Sequence, residues 1–264
     1  MSIVTNGRTY LENELNEVLK KNNKLFIPYI MAGDGGLDQL IPTLTFLQEA
    51  GASAIELGIP FSDPVADGKT IQKAGIRALQ HGVTLKGIVE LLKQERHKIH
   101  IPIIFMTYIN PIFHYGVTSF VRDIKEAGVD GIIIPDLPFE EQHLIKDELK
   151  EADIALIQLV SLTSVSERQQ KIAEHSEGFL YAVTVNGTTG VRNDFSDVLH
   201  DYLRNLKQFS KVPVVAGFGI SSPEQVQTVS QLCDGVIVGS KIIELLQNND
   251  DESIKQLIEA AYRF

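Results

Sequence analysis

Residues 54–81 read Ala-Ile-Glu-Leu-Gly-Ile-Pro-Phe-Ser-Asp-Pro-Val-Ala-Asp-Gly-Lys-Thr-Ile-Gln-Lys-Ala-Gly-Ile-Arg-Ala-Leu-Gln-His. A short apolar run (Ala54–Leu57) passes through a loop rich in Gly, Pro and Asp into an amphipathic segment, Thr70–His81. Runs of four to eight apolar residues bounded by Gly and Pro read as buried strands, and the segment that follows has helical spacing. The same unit recurs along the chain. Further apolar runs are Leu25–Met31, Ile101–Met106, Gly131–Pro135, Ile154–Val160, Phe179–Thr184, Val212–Ala216 and Gly235–Val238, which makes eight in all. Their hydrophobicity is nearly continuous rather than alternating, as parallel strands covered by helices require.

Helical patterns fill the intervals at Asp38–Ala50, Leu85–His97, Ser119–Ala127, Phe139–Glu151, Val165–His175, Ser196–Phe209 and Pro223–Gln231. Thr84 stands where a helix N-cap belongs, and Ser222-Pro223 puts proline in a first helical turn. An additional helix, about Thr9–Asn22, precedes the first run, and Asp251–Tyr262 closes the chain. Eight alternations favour a closed (β/α)8 TIM barrel over an open doubly wound sheet. No linker or low-complexity stretch interrupts the pattern, so residues 1–264 are expected to form a single TIM-barrel domain with an extra N-terminal helix.

Composition narrows the function. Hydrophobic residues make up 44% and charged residues 22% of the 264, enough apolar material for a large core. A formal charge of −10 argues against nucleic acid or an anionic membrane as the main partner. It leaves room for a phosphorylated small molecule, because local backbone N–H groups hold a phosphate whatever the global charge. The single cysteine, Cys233, allows no intrachain disulfide and reads as a packing thiol. The N-terminus has no signal-peptide pattern and no apolar run reaches the ~20 residues of a membrane span, so a cytoplasmic location is expected.

In such a barrel the active site lies at the C-terminal ends of the strands, which makes the residues after each run the candidates. Glu56 sits within an apolar run. A carboxylate there costs several kcal/mol to bury unless paired or protonated, and burial raises its pKa toward the range of a general acid–base. The competing reading is a Glu paired with a strand-end Lys or Arg, although no predicted strand contains either. Asp67, before the helix near Thr70, is a second proton-transfer candidate or else a helix N-cap or turn former. Asp63 reads as a turn residue, and Asp136 as a group that orients a loop by hydrogen bonding. Glycine-bearing segments follow the last three runs: Asn186-Gly187-Thr188-Thr189-Gly190, Gly217-Phe218-Gly219-Ile220-Ser221 and Gly239-Ser240-Lys241. Their order matches the usual phosphate cradle of barrels, where a helix N-terminus assists the backbone amides.

The stretch Glu56–Gly68 closely resembles the signature of the tryptophan synthase alpha chain family. Further similarity runs through Phe26-Ile-Pro-Tyr-Ile, Tyr108-Ile-Asn-Pro, Gly131-Ile-Ile-Ile-Pro-Asp-Leu-Pro, Gly187-Thr-Thr-Gly, Gly217-Phe-Gly-Ile-Ser-Ser-Pro-Glu-Gln-Val and Gly239-Ser, covering roughly residues 12 to 262. The resemblance implies a carbon–carbon lyase of tryptophan biosynthesis that cleaves indole-3-glycerol phosphate, by retro-aldol chemistry, to indole and glyceraldehyde 3-phosphate. It implies that Glu56 protonates the indole ring carbon and that Asp67 manages the indole N–H. Tyr181 would line the glycerol phosphate chain. Gly190, Gly219, Gly239 and Ser240 would hold the phosphate with Phe218 alongside, and Thr189 would close over Asp67. Tyr29, Met106, Tyr108 and Leu137 would enclose the indole. The chain departs from the family's pattern at Gly33-Asp34-Gly35-Gly36, at Thr184–Gly187 and at Val160–Ser164, none of which removes a proton-transfer group.

The resemblance further implies no cofactor in this chain. Pyridoxal phosphate is expected in a partner beta subunit, within an alpha2beta2 heterotetramer that passes indole through a tunnel. The Asp63-Pro64 loop and residues 108–116, with Asn110 and His114, would form the contact, and the free chain would be monomeric and weakly active. Two rival readings remain: another phosphate-binding barrel, an isomerase or epimerase, and a non-catalytic barrel that activates a beta subunit. A metal-dependent epimerase would want His and Asp at successive strand ends, whereas His81, His97, His143, His175 and His200 fall in predicted helices or at their ends.

Overall fold

The computed structural model describes residues 6–184, 192–217 and 219–262, with the side chains of 192–197 excepted. Nine strands form one sheet: β1 Leu25–Met31, β2 Ile55–Gly58, β3 Ile103–Met106, β4 Gly131–Ile133, β5 Ala155–Leu156, β6 Gln158–Ser161, β7 Leu180–Val183, β8 Val214–Gly217 and β9 Gly235–Val238. Every pairing is parallel, in the order β5-β4-β3-β2-β1-β9-β8-β7-β6. The two ends of that order, β5 and β6, are consecutive in the chain and separated only by Ile157. That residue still donates its N–H to Ile132 at 2.9 Å. The fifth predicted strand is therefore one strand broken in mid-course, and the sheet closes through it into the eight-membered (β/α)8 barrel.

The strands alternate with the helices that cover them, among them Leu40–Glu49, Lys69–Gln80, Leu85–Glu95, Val117–Glu126, Ser166–Glu174, Arg192–Phe209, Pro223–Ser230 and Ser240–Gln247. Thr84 caps its helix by accepting from Gly87 N–H, and Ser222 accepts from Gln225 N–H. Two helices were not foreseen. Ile109–Tyr115 carries Pro111 in its first turn, where proline is tolerated, and Ser240–Gln247 starts directly from the last glycine loop. The expected helix over Phe139–Glu151 divides at Ile145 into a 3-10 segment, Phe139–Leu144, and a short α-helix, Lys146–Glu151. Cys233 is fully buried, its thiol directed at the Val229 and Gly235 carbonyls.

The extra N-terminal helix, Arg8–Lys20, lies across the N-terminal mouth of the barrel. Leu11 and Leu15 are fully buried there. Leu11 packs on Gly131 and Gly178, where an added Cβ would come within 3.3 and 2.8 Å of its Cδ2. The start of the helix is fastened by Gly7 N–H, which donates to Asp130 at 2.6 Å. Asp130 also accepts from Ile103 N–H at 2.8 Å and from the Arg96 guanidinium at 3.0 Å, all in the interior. With this mouth closed by side chains, the open C-terminal mouth is left for a ligand.

Candidate active site

The site is assembled from strand ends. Parallel register sets Glu56 on β2 beside Tyr29 on β1 and Ile104 on β3. Residues two apart on a strand share a face, so Gly58 stands one step nearer the C-terminal mouth on the same side as Glu56. The absence of a side chain at Gly58 gives the Tyr29 phenol its place, because a Cβ there would overlap the Tyr29 hydroxyl. Gly217 on β8 makes the same room for Tyr181. Sequence reading missed both roles, since only the register shows which ring lies over which glycine.

Glu56 is fully buried, and neither carboxyl oxygen has a hydrogen-bond partner among the described residues. Burial, with a smaller contribution from the Asp67 carboxylate, pushes its pKa up to about 8. It is therefore a neutral acid at pH 7, and the alternative of a Glu paired with a strand-end Lys or Arg fails. Asp67 is partly buried in the loop after β2. Its pKa is raised by burial to about 6, against the pull of a hydrogen bond from the Tyr108 hydroxyl. Asp67 does not cap the following helix, whose N-cap is Gly68. The two acids are thus held in different states, one protonated and one ionised, by their surroundings.

Tyr108 holds this loop from the far side. Its hydroxyl accepts from Ala66 N–H at 3.0 Å, and its ring lies 5.4 Å from that of Phe61. Asp136, at the end of the fourth run, accepts from Ile109 N–H at 2.9 Å and so fixes the first turn of Ile109–Tyr115, the orienting role expected of it. Asp63 accepts from Ser62 Oγ at 2.5 Å in the exposed tip of the loop. Tyr29 within β1, Tyr181 within β7 and Tyr108 just after β3 are buried, while Met106 at the end of β3 and Leu137 in the loop after β4 are half-buried.

Across β1 from Glu56, after β9, Gly239 precedes the helix Ser240–Gln247, whose first turn no side chain caps among the described residues. Its leading amides and dipole suit an anion. Gly239 also adjoins the Tyr29 ring, whose Cδ1 an added Cβ would meet at 3.5 Å, so this helix end lies against the same tyrosine that stands beside Glu56. The neighbouring helix Pro223–Ser230 is already capped by Ser222, and Gly219 adopts φ +78, a conformation that favours glycine. Thr189, Gly190 and Phe218 lie outside the described residues.

Comparison with known proteins identifies the family and the fold. The family model for the tryptophan synthase alpha chain matches residues 15–263. A tryptophan synthase alpha chain from a strain of Bacillus cereus is 55% identical over 246 residues, 93% of this chain and 95% of the relative. One from Bacillus anthracis is also 55% identical over the same share of both. Among solved structures, the alpha subunit from Legionella pneumophila superposes with a TM-score of 0.88 at 32% identity, covering 98% of this chain and 99% of that one. A ligand-free tryptophan synthase from Mycobacterium tuberculosis gives 0.86 at 30% identity, covering 95% and 98%.

Proposed function

The chain belongs to the tryptophan synthase alpha chain family, lyases that cleave indole-3-glycerol phosphate in tryptophan biosynthesis, and we propose that Glu56 and Asp67 carry that cleavage. The observation behind this assignment is the setting of Glu56 on β2, fully buried and without a hydrogen-bond partner among the described residues, with Asp67 in the loop that follows; burial raises the pKa of both, Glu56 to about 8 and Asp67 to about 6. Glu56 donates its proton to the indole ring carbon that bears the glycerol chain. Positive charge then develops over the indole, and the Asp67 carboxylate stabilises it through the ring N–H. The Glu56 carboxylate next takes the proton of the glycerol hydroxyl on the adjoining carbon. The carbon–carbon bond breaks, its electrons return to the ring, and indole and glyceraldehyde 3-phosphate leave with Glu56 protonated again.

The phosphate is held by the backbone at Gly239 and Ser240, with Gly219, Gly190 and Phe218 completing the cradle. Tyr181 is assigned to the glycerol chain and Tyr29, Met106, Tyr108 and Leu137 to the indole, while Thr189, outside the described residues, is assigned to Asp67 by the family resemblance alone. None of these steps draws on a cofactor of this chain.

Family membership implies a beta-subunit partner. The alpha2beta2 assembly, with pyridoxal phosphate in the beta subunit and indole passed between them, is the arrangement we propose. Docking through the Asp63-Pro64 loop and residues 108–116, including Asn110 and His114, is supported by two apolar side chains left in solvent there, Val65 at 81% and Phe113 at 47% exposure. Among the described residues no helix is long and apolar enough to cross a membrane. A cytoplasmic location is part of the proposal.

The test is direct. Indole is measured after incubating the protein with indole-3-glycerol phosphate, with and without a beta subunit, and indole should form in both and faster in the second. Absence of indole from both overturns the proposal. Glu56→Gln should abolish cleavage and leave binding of a phosphate-bearing ligand intact; loss of both together would mark Glu56 as structural.

A further inference from the structure

In the loop after β2, Asp67 is half-buried, while Ala66 and Gly68 on either side of it are exposed. The backbone here is gripped both before and after Asp67. On one side the Tyr108 hydroxyl accepts from Ala66 N–H at 3.0 Å, and Asp67 N–H donates to the Pro64 carbonyl at 3.1 Å. On the other, the Gln72 side-chain amide donates to the Asp67 carbonyl at 2.9 Å. That bond spans Gly68, the joint between loop and helix, where the chain has most freedom and an added Cβ would meet nothing within 4 Å. A side chain that serves a helix start accepts from the free N–H groups of the first turn. Gln72 does the reverse, giving an N–H to a carbonyl outside the helix Lys69–Gln80, whose N-cap is Gly68. No free N–H of the helix is satisfied by this bond; what it fixes is the backbone of Asp67.

We propose that Gln72 is a positioning residue that holds Asp67 in place for the indole N–H. With the amide of Ala66 tied to Tyr108 and the carbonyl of Asp67 tied to Gln72, the Asp67 carboxylate is left with only its side-chain rotations. A carboxylate that stabilises charge through one directed contact loses rate when its support loosens, even when the supporting residue touches no substrate. Gln72 itself is firmly based, since its main-chain N–H donates to the Gly68 carbonyl at 2.9 Å. The two anchors belong to different elements: Gln72 to Lys69–Gln80, and Tyr108 to the N-cap of Ile109–Tyr115. Methionine at position 72 would match the length and helix preference of glutamine without a donor, whereas lysine would keep a donor.

Gln72 has this role only if Asp67 has the one proposed for it, and two measurements keep the claims apart. In the cleavage assay Gln72→Met should lower kcat by about two- to tenfold, the usual worth of one hydrogen bond, with KM changed less. Its thermal unfolding should match the wild type, because Gln72 is exposed. In the ligand-free protein, 15N relaxation should give lower order parameters at the Ala66 and Asp67 amides of this variant, which reads the clamp without turnover. Gln72→Lys should return both kcat and the order parameters toward the wild type. If Gln72→Met turns over and relaxes like the wild type while the wild type makes indole, the inference is overturned and the proton-transfer assignment stands. Gln72→Lys as slow as Gln72→Met overturns it too, since the donor would then not be what matters. If the wild type makes no indole, the proton-transfer assignment falls, and the relaxation of Gln72→Met still decides whether Gln72 holds Asp67.

Discussion

At the scale of single residues, function depends on a difference between two carboxyl groups that have the same intrinsic chemistry. Glu56 must be protonated and Asp67 ionised for the first step, so kcat/KM should rise through about 6 and fall through about 8, the values their surroundings impose. A pH profile checks this; a single rising limb with no decline above 8 would contradict the acid role of Glu56. The same burial has a thermodynamic consequence. The folded protein keeps the Glu56 proton up to about 8, whereas the unfolded chain releases it near the ordinary glutamate value of 4.5. Between those values the native state binds more protons, so the contribution of Glu56 lowers stability as pH rises and levels off above both. Glu56→Gln should therefore be inactive yet more stable than the wild type at pH 8.5, with the advantage shrinking toward pH 4.5. Thermal unfolding across that range measures it. Much of Glu56 was legible in the sequence, since a carboxylate amid Ile55 and Leu57 demands a reason. Asp67 stood level with a helix cap until the loop was seen to place Gly68 at the cap, and Gly58 was silent because its role belongs to a tyrosine on another strand.

At the scale of elements, the sequence shows what repeats and hides what is short. Strands buried on both faces appear as apolar runs, which is why each of the eight was found within a few residues of its place. The division of the fifth at Ile157 was not read, because Ile154–Val160 forms one run in which Gln158 is the single polar residue. The helix Ile109–Tyr115 is only seven residues long and opens on Asn110-Pro111, a dipeptide type that commonly marks turns, so its pattern is weak. Its start depends on Asp136, more than twenty residues away in the chain, whose carboxylate accepts the Ile109 N–H. That is a cap supplied by tertiary structure, and removing a cap costs about 1 kcal/mol. Asp136→Ala should lower unfolding stability by about that amount and weaken the response to a beta subunit, because the loosened helix presents Phe113 and His114 to the proposed partner. Denaturant unfolding and a beta-subunit titration of the cleavage rate would show the two effects together. A change in stability with an unaltered titration would remove this helix from the docking surface.

At the scale of the whole molecule, the barrel's two mouths divide stability from function. One is open, lined with Glu56, Asp67 and three tyrosines; the other is shut by the helix Arg8–Lys20. The sequence announced that helix but not its destination, which depends on a buried ion pair between residues 34 apart. Arg96 is nearly and Asp130 wholly inaccessible, with side-chain exposures of 7% and 0%. Arg96 spends its other donors on the Gly128, Ile99 and Ile101 carbonyls, and Asp130 its remaining lone pairs on Gly7 and Ile103. The pair therefore joins the N-terminal helix, β3 and β4 at one point. Taking one partner away leaves an uncompensated charge in the interior, at a cost of about 3–5 kcal/mol, whereas replacing both with apolar groups of similar size restores much of it. Arg96→Met should accordingly unfold at markedly lower denaturant than the wild type, and adding Asp130→Leu should recover part of the loss. Since the pair lies at the closed mouth, whatever Arg96→Met protein remains folded should cleave substrate with the wild-type kcat and the same pH profile. A profile displaced in that variant would mean that the two mouths are coupled through the barrel.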